Sequence, residues 1–339
     1  MAERYGRKKL LLTVVLVVIV VAAVFSGLSL VRMGPEKIRV GYLPAATYTL
    51  LWVAYEKGYF EEEGLHAALK AYSNVGEIAT ALSKGELDGA PLTAVAAAAF
   101  AERGKFLIVG GNSTCGTALA CRAEDAGKYR KLEDLEGVKM ATVLYVPGDV
   151  VVRYKLMEKK INVELKVLFT PSDALTALKK KSVDVALLWE PFASEAEEEG
   201  YKIFLWDKEV YDIIYPCCLQ VFREDFARNH RDIVVKYLKA MIKAQEFCEQ
   251  SPHEAAEIAA QYIPEEFGVS KEVIYRSTFY MDPKLGRARN PLDMKLHMED
   301  LQEFTRMMRN IGILSPRMAA EFFGRVDASF IKAAMEQVS

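Results

Sequence analysis

The chain has few of the residues from which catalytic and metal centres are made. Only 4 of its 339 residues are histidine, and its 5 cysteines, Cys115, Cys121, Cys217, Cys218 and Cys248, include no C-x-x-C pair. That spacing fits no zinc pattern, because a structural zinc needs four closely placed thiolate or imidazole ligands. There is no glycine-rich phosphate loop, and no Ser-His-Asp set or carboxylate pair converges. One-sided charge is also lacking. The 44 basic and 46 acidic residues leave a formal charge of −2, which offers no general attraction to nucleic acid. The expectation is a protein that is not an enzyme, with no cofactor, no metal and no nucleic-acid partner.

What the chain does have is apolar material and length. Hydrophobic residues make up 51% of it, enough to bury a large core and to fill two lobes. At the N-terminus Arg4, Arg7, Lys8 and Lys9 precede an uncharged apolar run from Leu10 to Val31. A run of roughly 20 apolar residues can cross a bilayer, and its positive flank stays in the cytoplasm. The reading is a cytoplasmic basic segment over 1–9 and a transmembrane anchor or signal over 10–31, with everything later exported. A cleaved signal has a shorter apolar region of about 7 to 15 residues. The run therefore favours an uncleaved anchor, although Ser26, Gly27 and Ser29 make a fair cleavage site. Export would place the cysteines in an oxidising space, where small buried thiols and disulfides both remain open readings.

The stretch from Ile38 to Leu65 sets the plan of the rest. Ile38, Val40 and Tyr42 alternate as in a strand, and Leu51, Ala54 and Tyr55 recur at helical spacing. Thr47 or Thr49 can cap the helix, and Lys57 with Gly58 can close it. Ligands of open parallel sheets bind at the carboxyl ends of strands, so the loop from Leu43 to Thr49 is the first candidate for contact. Residues 73–92 and 172–188 then align without gaps. Thr80-Ala81-Leu82 meets Thr176-Ala177-Leu178, Asp88 meets Asp184, and Leu92 meets Leu188. Upstream, the segment from Val138 repeats strand, loop and helix, which makes Leu144 to Asp149 the counterpart of the first loop. Two copies about a hundred residues apart suit two similar α/β lobes better than a solenoid. Phe106 to Gly110 reads as a strand, Asn112 to Gly116 as a polar turn and Thr117 to Arg122 as a strand. A strand from Tyr215 to Phe222 returns the chain, and the remainder reads as helical, with Ser251-Pro252 and Asn290-Pro291 opening helices. Lobe 1 is expected over 36–121, lobe 2 over 122–216, and the return to lobe 1 with the C-terminal helices over 217–339. If the two crossing strands lie side by side, a disulfide from Cys115 or Cys121 to Cys217 or Cys218 becomes possible.

Four segments, GYLPAATYTLLWVAYEKGYFEEEGL from Gly41, GELDGAPL from Gly85, KLEDLEGVKMAT from Lys131 and VDVALLWEP from Val183, together resemble the type II solute-binding proteins of the nitrate, sulfonate, taurine and thiamine-precursor group. The resemblance covers about residues 36–260 and rests on the order and spacing of all four. It implies a two-lobed periplasmic-binding-protein type II fold. Each lobe is a sheet flanked by helices, two crossing strands form the hinge, and here an N-terminal transmembrane helix is added. It implies an extracytoplasmic receptor of an ABC importer, partnered by a permease with its cytoplasmic ATPase. Carried over by position, ligand contacts would fall at Thr47, Tyr48, Asn74, Thr93, Ser113 and Thr114 on one lobe. On the other they would fall at Tyr145, Gly148, Asp149, Trp189 and Glu190. Where related chains often carry a Ser-x-x-His type of loop, this one has Tyr145-Val146-Pro147-Gly148-Asp149.

Each of these positions also has a plainer reading. Glu190 suits the dipole of the helix that follows it, Asp149 suits a helix cap, and Tyr48 suits packing beneath its loop. The candidate loops contain no lysine or arginine, so an anion would be held by dipoles and hydroxyls rather than by a bidentate guanidinium. A small anion or small organic solute of nitrate, sulfonate or bicarbonate type is the leading ligand class, with a thiamine-precursor-type heterocycle as the alternative. Enzymes on the same architecture, of the pyrimidine-precursor synthase or menaquinone-pathway type, are the rival class. The synthases would require a cysteine cluster with a histidine near the cleft, which this chain does not present.

Overall fold

The structure, a computed structural model, describes residues 36–338 except 102–103, 144, 212 and 265–268. The chain divides into Met1–Glu36 and Lys37–Ser339, and the elements below belong to the second unit. The expected basic segment 1–9 and apolar span 10–31 lie outside the described residues. Among the described residues no helix is long and apolar enough to cross a membrane.

The first half runs β1 (Glu36–Tyr42), α1 (Thr49–Glu56), β2 (Leu65–Ala71), α2 (Val75–Ser83), β3 (Gly89–Thr93), α3 (Ala94–Phe100) and β4 (Phe106–Thr114). The second runs β5 (Thr117–Cys121), β6 (Lys139–Val143), α4 (Pro147–Lys159), β7 (Glu164–Leu168), α5 (Pro171–Lys179), β8 (Val185–Trp189), α6 (Phe192–Glu198) and β9 (Lys202–Trp206). The chain then returns through β10 (Pro216–Arg223) to α7 (Arg231–Gln250), α8 (Pro252–Ala260), α9 (Lys271–Thr278), α10 (Met298–Asn310), α11 (Pro316–Gly324) and α12 (Ser329–Val338).

The strands form two five-stranded sheets, ordered β2-β1-β3-β10-β4 and β7-β6-β8-β5-β9. In each, the first strand of a copy lies parallel to the third, and the strand arriving from the other half runs antiparallel to that third strand. The two halves therefore share one topology and exchange a strand. The repeated aspartates explain part of the match. Asp88 accepts the backbone N–H of Arg39 at 2.9 Å, and Asp184 accepts that of Lys139 at 3.1 Å. Each carboxylate, just ahead of a third strand, ties it to the first strand of its copy. The helix starts are also copies: Asn74 accepts from Glu77 N, and Thr170 accepts from Asp173 N. Each side chain satisfies an N–H that the helix leaves unpaired.

Several expectations are corrected. Asn112, Ser113 and Thr114 are not a turn but the last residues of β4, and the turn is confined to Cys115 and Gly116. Polar side chains suggested a turn there, yet Asn112 is satisfied inside the core. It donates to Thr47 O at 2.7 Å and accepts from Gln220 at 2.9 Å. The passage between sheets thus falls at Cys115–Gly116, and β5 lies in the second sheet rather than with residues 36–121. Asn290-Pro291 opens no helix. Asn290 donates to Thr114 O, Pro291 O accepts from Thr114 N, and Leu292 bridges Ser113, so this segment is an extended strap along β4. All five cysteines are free and buried. No disulfide joins the crossing strands, because Cys121 sits at the far end of β5 opposite Val185, whereas Cys218 sits at the head of β10 opposite Thr93.

Candidate functional site

The carboxyl ends of both sheets converge where the chain crosses between them. On the first sheet Thr93 and Ser113 both pair with Cys218, and Thr114 pairs with Pro216. The loop after β1 is drawn to the same edge, since Tyr48 donates to Pro91 O at 3.0 Å and Asn112 holds Thr47 O. A fully buried chain supports that second contact, with Tyr237 donating to Gln220 at 3.1 Å and Gln220 to Asn112. On the second sheet Trp189 pairs with Thr117, and Glu190 N donates to Gly116 O at 2.9 Å. Gly148, in the first turn of α4, sits so close to Thr117 that a Cβ would lie 2.1 Å from its Oγ1. Across the junction the ring of Phe100, at the end of α3, meets Tyr145 at 5.9 Å. Tyr145, in the loop before α4, thus meets the end of α3 from the other half.

The named positions differ in what they leave available. Tyr48 is 1% exposed, so it packs beneath its loop as well as bonding Pro91. Asn74 is exposed, and its amide is engaged with Glu77 through both oxygen and nitrogen. Thr93 caps α3 by accepting from Ala96 N at 3.2 Å, which leaves its hydroxyl proton to donate elsewhere. Thr47 is buried, and Ser113 Oγ is buried without a hydrogen-bond partner. Thr114 is held through its backbone by Pro291 and Asn290. Tyr145 adopts φ 66, a left-handed conformation that is costly for a side chain with a Cβ. Trp189 is half-buried and lies edge-on to Phe192 at 5.7 Å.

The two carboxylates serve the fold. Asp149 accepts from Thr142 Oγ1 at 2.8 Å and pairs with Arg153 at 3.2 Å, and burial raises its pKa. Glu190 accepts from both the N–H and the hydroxyl of Ser194, at 3.1 and 2.9 Å, which caps α6. Burial pushes its carboxyl up to about 7, against the opposing pull of Arg289 with Nη1 3.7 Å away.

Sequence reasoning missed residues that lie far away in the chain. Asp207 accepts from Gly116 N at 2.7 Å, Thr117 N at 3.0 Å and the Tyr215 hydroxyl at 2.7 Å, and pairs with Arg287 at 2.8 Å. That one carboxylate joins both crossings to the C-terminal segment. Arg289 bonds Asp282, Ser194 and Glu197 and lies over Trp206. Beneath the first loop Trp52 stacks on Tyr262 at 5.1 Å, and Tyr42 meets both rings edge-on. An aromatic at the end of β1 was a visible signal; Tyr262 carried none.

These two sheets of one topology, each receiving a strand from the other half, define a two-sheet α/β fold, and sequence similarity places the chain more closely. The NMT1-like family model matches residues 32–263, and the chain belongs to that family. A Brucella abortus (strain 2308) protein, named only as a binding protein, is 24% identical over 234 residues, covering 67% of this chain and 71% of the relative. Among solved structures, the periplasmic nitrate-binding protein NrtA from Synechocystis PCC 6803 superposes with a TM-score of 0.71 at 16% identity, covering 90% of this chain and 89% of that one. The alkanesulfonate-binding protein SsuA from Xanthomonas axonopodis pv. citri, bound to MOPS, gives 0.68 at 16% identity, covering 86% and 98%. At these identities the structures show a shared fold.

Proposed function

We propose that the protein is an extracytoplasmic solute receptor of an ABC importer, held at the membrane by its N-terminal segment, which captures a small molecule between two lobes and delivers it to a permease without turnover. The observation that supports this reading is that the equivalent strand ends at Thr93 and Trp189 both lie beside strands that cross between the sheets, Thr93 paired with Cys218 and Trp189 with Thr117. Lobes joined by short crossings close around a ligand by bending at those crossings, and the closed form presents a new surface to a partner. Thr47, Thr93, Ser113 and Thr114 supply hydroxyls from one side. The first turn of α4 with Gly148, together with Tyr145 and Trp189, faces them from the other. Asn74, Asp149 and Glu190 border the site and hold its frame.

The guanidinium groups nearest these edges, Arg153, Arg287 and Arg289, are each paired with a carboxylate. A small anion or organic solute of nitrate, sulfonate or bicarbonate type would then be held by hydroxyls and backbone N–H groups. A planar heterocycle is the second reading, favoured by the half-buried ring of Trp189 at the edge of the site. Thermal denaturation of the chain from Gly34 onward with nitrate, bicarbonate, alkylsulfonates and aminopyrimidines tests both, since a ligand that binds only the native state raises Tm. One class is expected to stabilise the protein and to be recovered chemically unchanged. Conversion to a product would overturn the receptor reading.

A further inference from the structure

β7 ends the second sheet. It pairs with β6 along one edge and, among the described residues, with no strand along the other. A free strand edge recruits other strands, and proteins ordinarily blunt it with charge or a cover. The corresponding edge strand of the first sheet, β2, is protected in this way. It buries Leu65 and Ala67 in the same apolar core as Tyr237, Leu238 and Met241 of α7, and exposes only His66, Ala68, Lys70 and Ala71. On β7, by contrast, Val167 is 55% exposed. Phe169, one residue past the strand, is 82% exposed, more than any other large apolar side chain among the described residues.

The sequence of this edge selects the strand it accepts. From Val163 it reads Val-Glu-Leu-Lys-Val, which is the same apolar and charged pattern in either direction, with the two charges opposite in sign. Set antiparallel to a second copy about a two-fold axis at Leu165, Leu165 faces its own equivalent and Val163 faces Val167. Glu164 then faces Lys166 on both sides of the axis, and Phe169 comes opposite Ile161. Directly opposed apolar residues and opposite charges stabilise a strand pair, and opposed like charges destabilise it. Moving the axis by one residue sets Glu164 against Glu164 or Lys166 against Lys166, so the register is specified. β2 has no such pattern, since an axis at its centre, Ala68, sets His66 against Lys70. The present partners of the two β7 charges are surface ones. Glu164 lies 3.7 Å from Lys139, and Lys166 donates to Ser182 Oγ at 3.2 Å, contacts that contribute little in water.

We propose that β7 is a self-association edge, at which two copies of this chain pair antiparallel about a two-fold axis through Leu165 and join their second sheets into one. The charges that repel most strands from this edge are neutralised by a second copy of it. Such an interface is isologous, with affinity from main-chain hydrogen bonds and register from alternate side chains. One short strand per copy is a small contact, below the ~1,200 Å² of stable complexes, so the association is weak and concentration-dependent. This inference does not depend on the solute reading.

The test uses the full chain in detergent. Leu165→Cys puts a thiol on the axis, where directly opposed Cα atoms lie about 4.5 to 5.5 Å apart, inside the ~4.4–6.8 Å that disulfides span. The native cysteines are all buried, so a mild oxidant is expected to link Leu165→Cys into a covalent dimer and to leave wild type unlinked. Lys70→Cys, at an exposed position of β2, measures random collision and should link more slowly. Adding Lys166→Glu to Leu165→Cys should slow linking by about 10-fold, because two opposite-charge pairs become like-charge pairs. Adding Glu164→Lys as well swaps the charges and should restore the rate. Any association through the N-terminal segment is common to all these proteins, so their differences report β7 alone. Linking of Leu165→Cys no faster than of Lys70→Cys, or equal rates for the single reversal and the charge swap, would overturn the proposal.

Discussion

Glu190 and Asp149 show how a side chain placed beside a ligand site can belong to the frame instead. Both are buried, and both accept hydrogen bonds from their own helix or from the strand beneath it. The Glu190 carboxyl titrates higher folded than unfolded, so between about pH 4.5 and 7 the native state holds more protons than the unfolded chain. Its contribution to stability is fully present below that window and is lost as pH rises through it, by an amount on the order of 3 kcal/mol. Glu195, also pushed up to about 7 by burial, titrates in the same window. The informative quantity is therefore the difference between wild type and Glu190→Gln in urea titrations from pH 4.5 to 8. The stability difference should shift in favour of Glu190→Gln as pH rises, and a pH-independent difference would contradict the assignment. Gly148→Ala should cost about 1 to 3 kcal/mol, because a methyl group there meets Thr117 with no free space. Thermal unfolding reads this directly. The matching aspartates at 88 and 184 were legible in the sequence because the repeat aligns them, whereas Asn74, expected at a ligand, caps α2 instead. Arg287 and Arg289 were not legible, since their partners lie 80 and 92 residues away.

At the scale of elements, strands with buried alternating or continuous apolar runs could be read, and exposed edge strands could not. In β7 only Leu165 and Leu168 are partly buried, so its sequence carries no two-residue alternation. The strap at Asn290-Pro291 carried a helix-start signal that lost to tertiary pairing, because β4 offers it a partner that local sequence does not reveal. That strap, with Arg287 and Arg289, fastens the C-terminal segment to the second sheet through Asp207, Ser194 and Glu197. Removing one member of a buried charge cluster leaves its partners uncompensated, at a cost of about 3 to 5 kcal/mol. Arg289→Ala should therefore lower Tm strongly and speed proteolytic cleavage between residues 280 and 290. Arg309→Ala, on the outer face of α10, should leave both unchanged. Equal Tm and cleavage rates for the two variants would show that the cluster does not fasten the segment.

For the whole molecule, duplication was the most readable property: two aligned segments foretold two sheets of one topology. The placement of the loops required the exchanged strands, which no local pattern announces. The structure also changes which variant is informative. Tyr48→Ala removes a fully buried ring and its bond to Pro91, so it is expected to destabilise the fold by about 3 kcal/mol or more. Trp189→Ala, at a half-buried site, should weaken ligand binding and leave the fold intact. The central claim is that a solute is held, unchanged, between the two sets of loops. A crystal structure with the solute giving the largest thermal shift tests it most directly. The account predicts intact solute contacting Thr93 or Ser113 on one side and Tyr145, Gly148 or Trp189 on the other. Solute bound elsewhere, or found there as a reaction product, would contradict it.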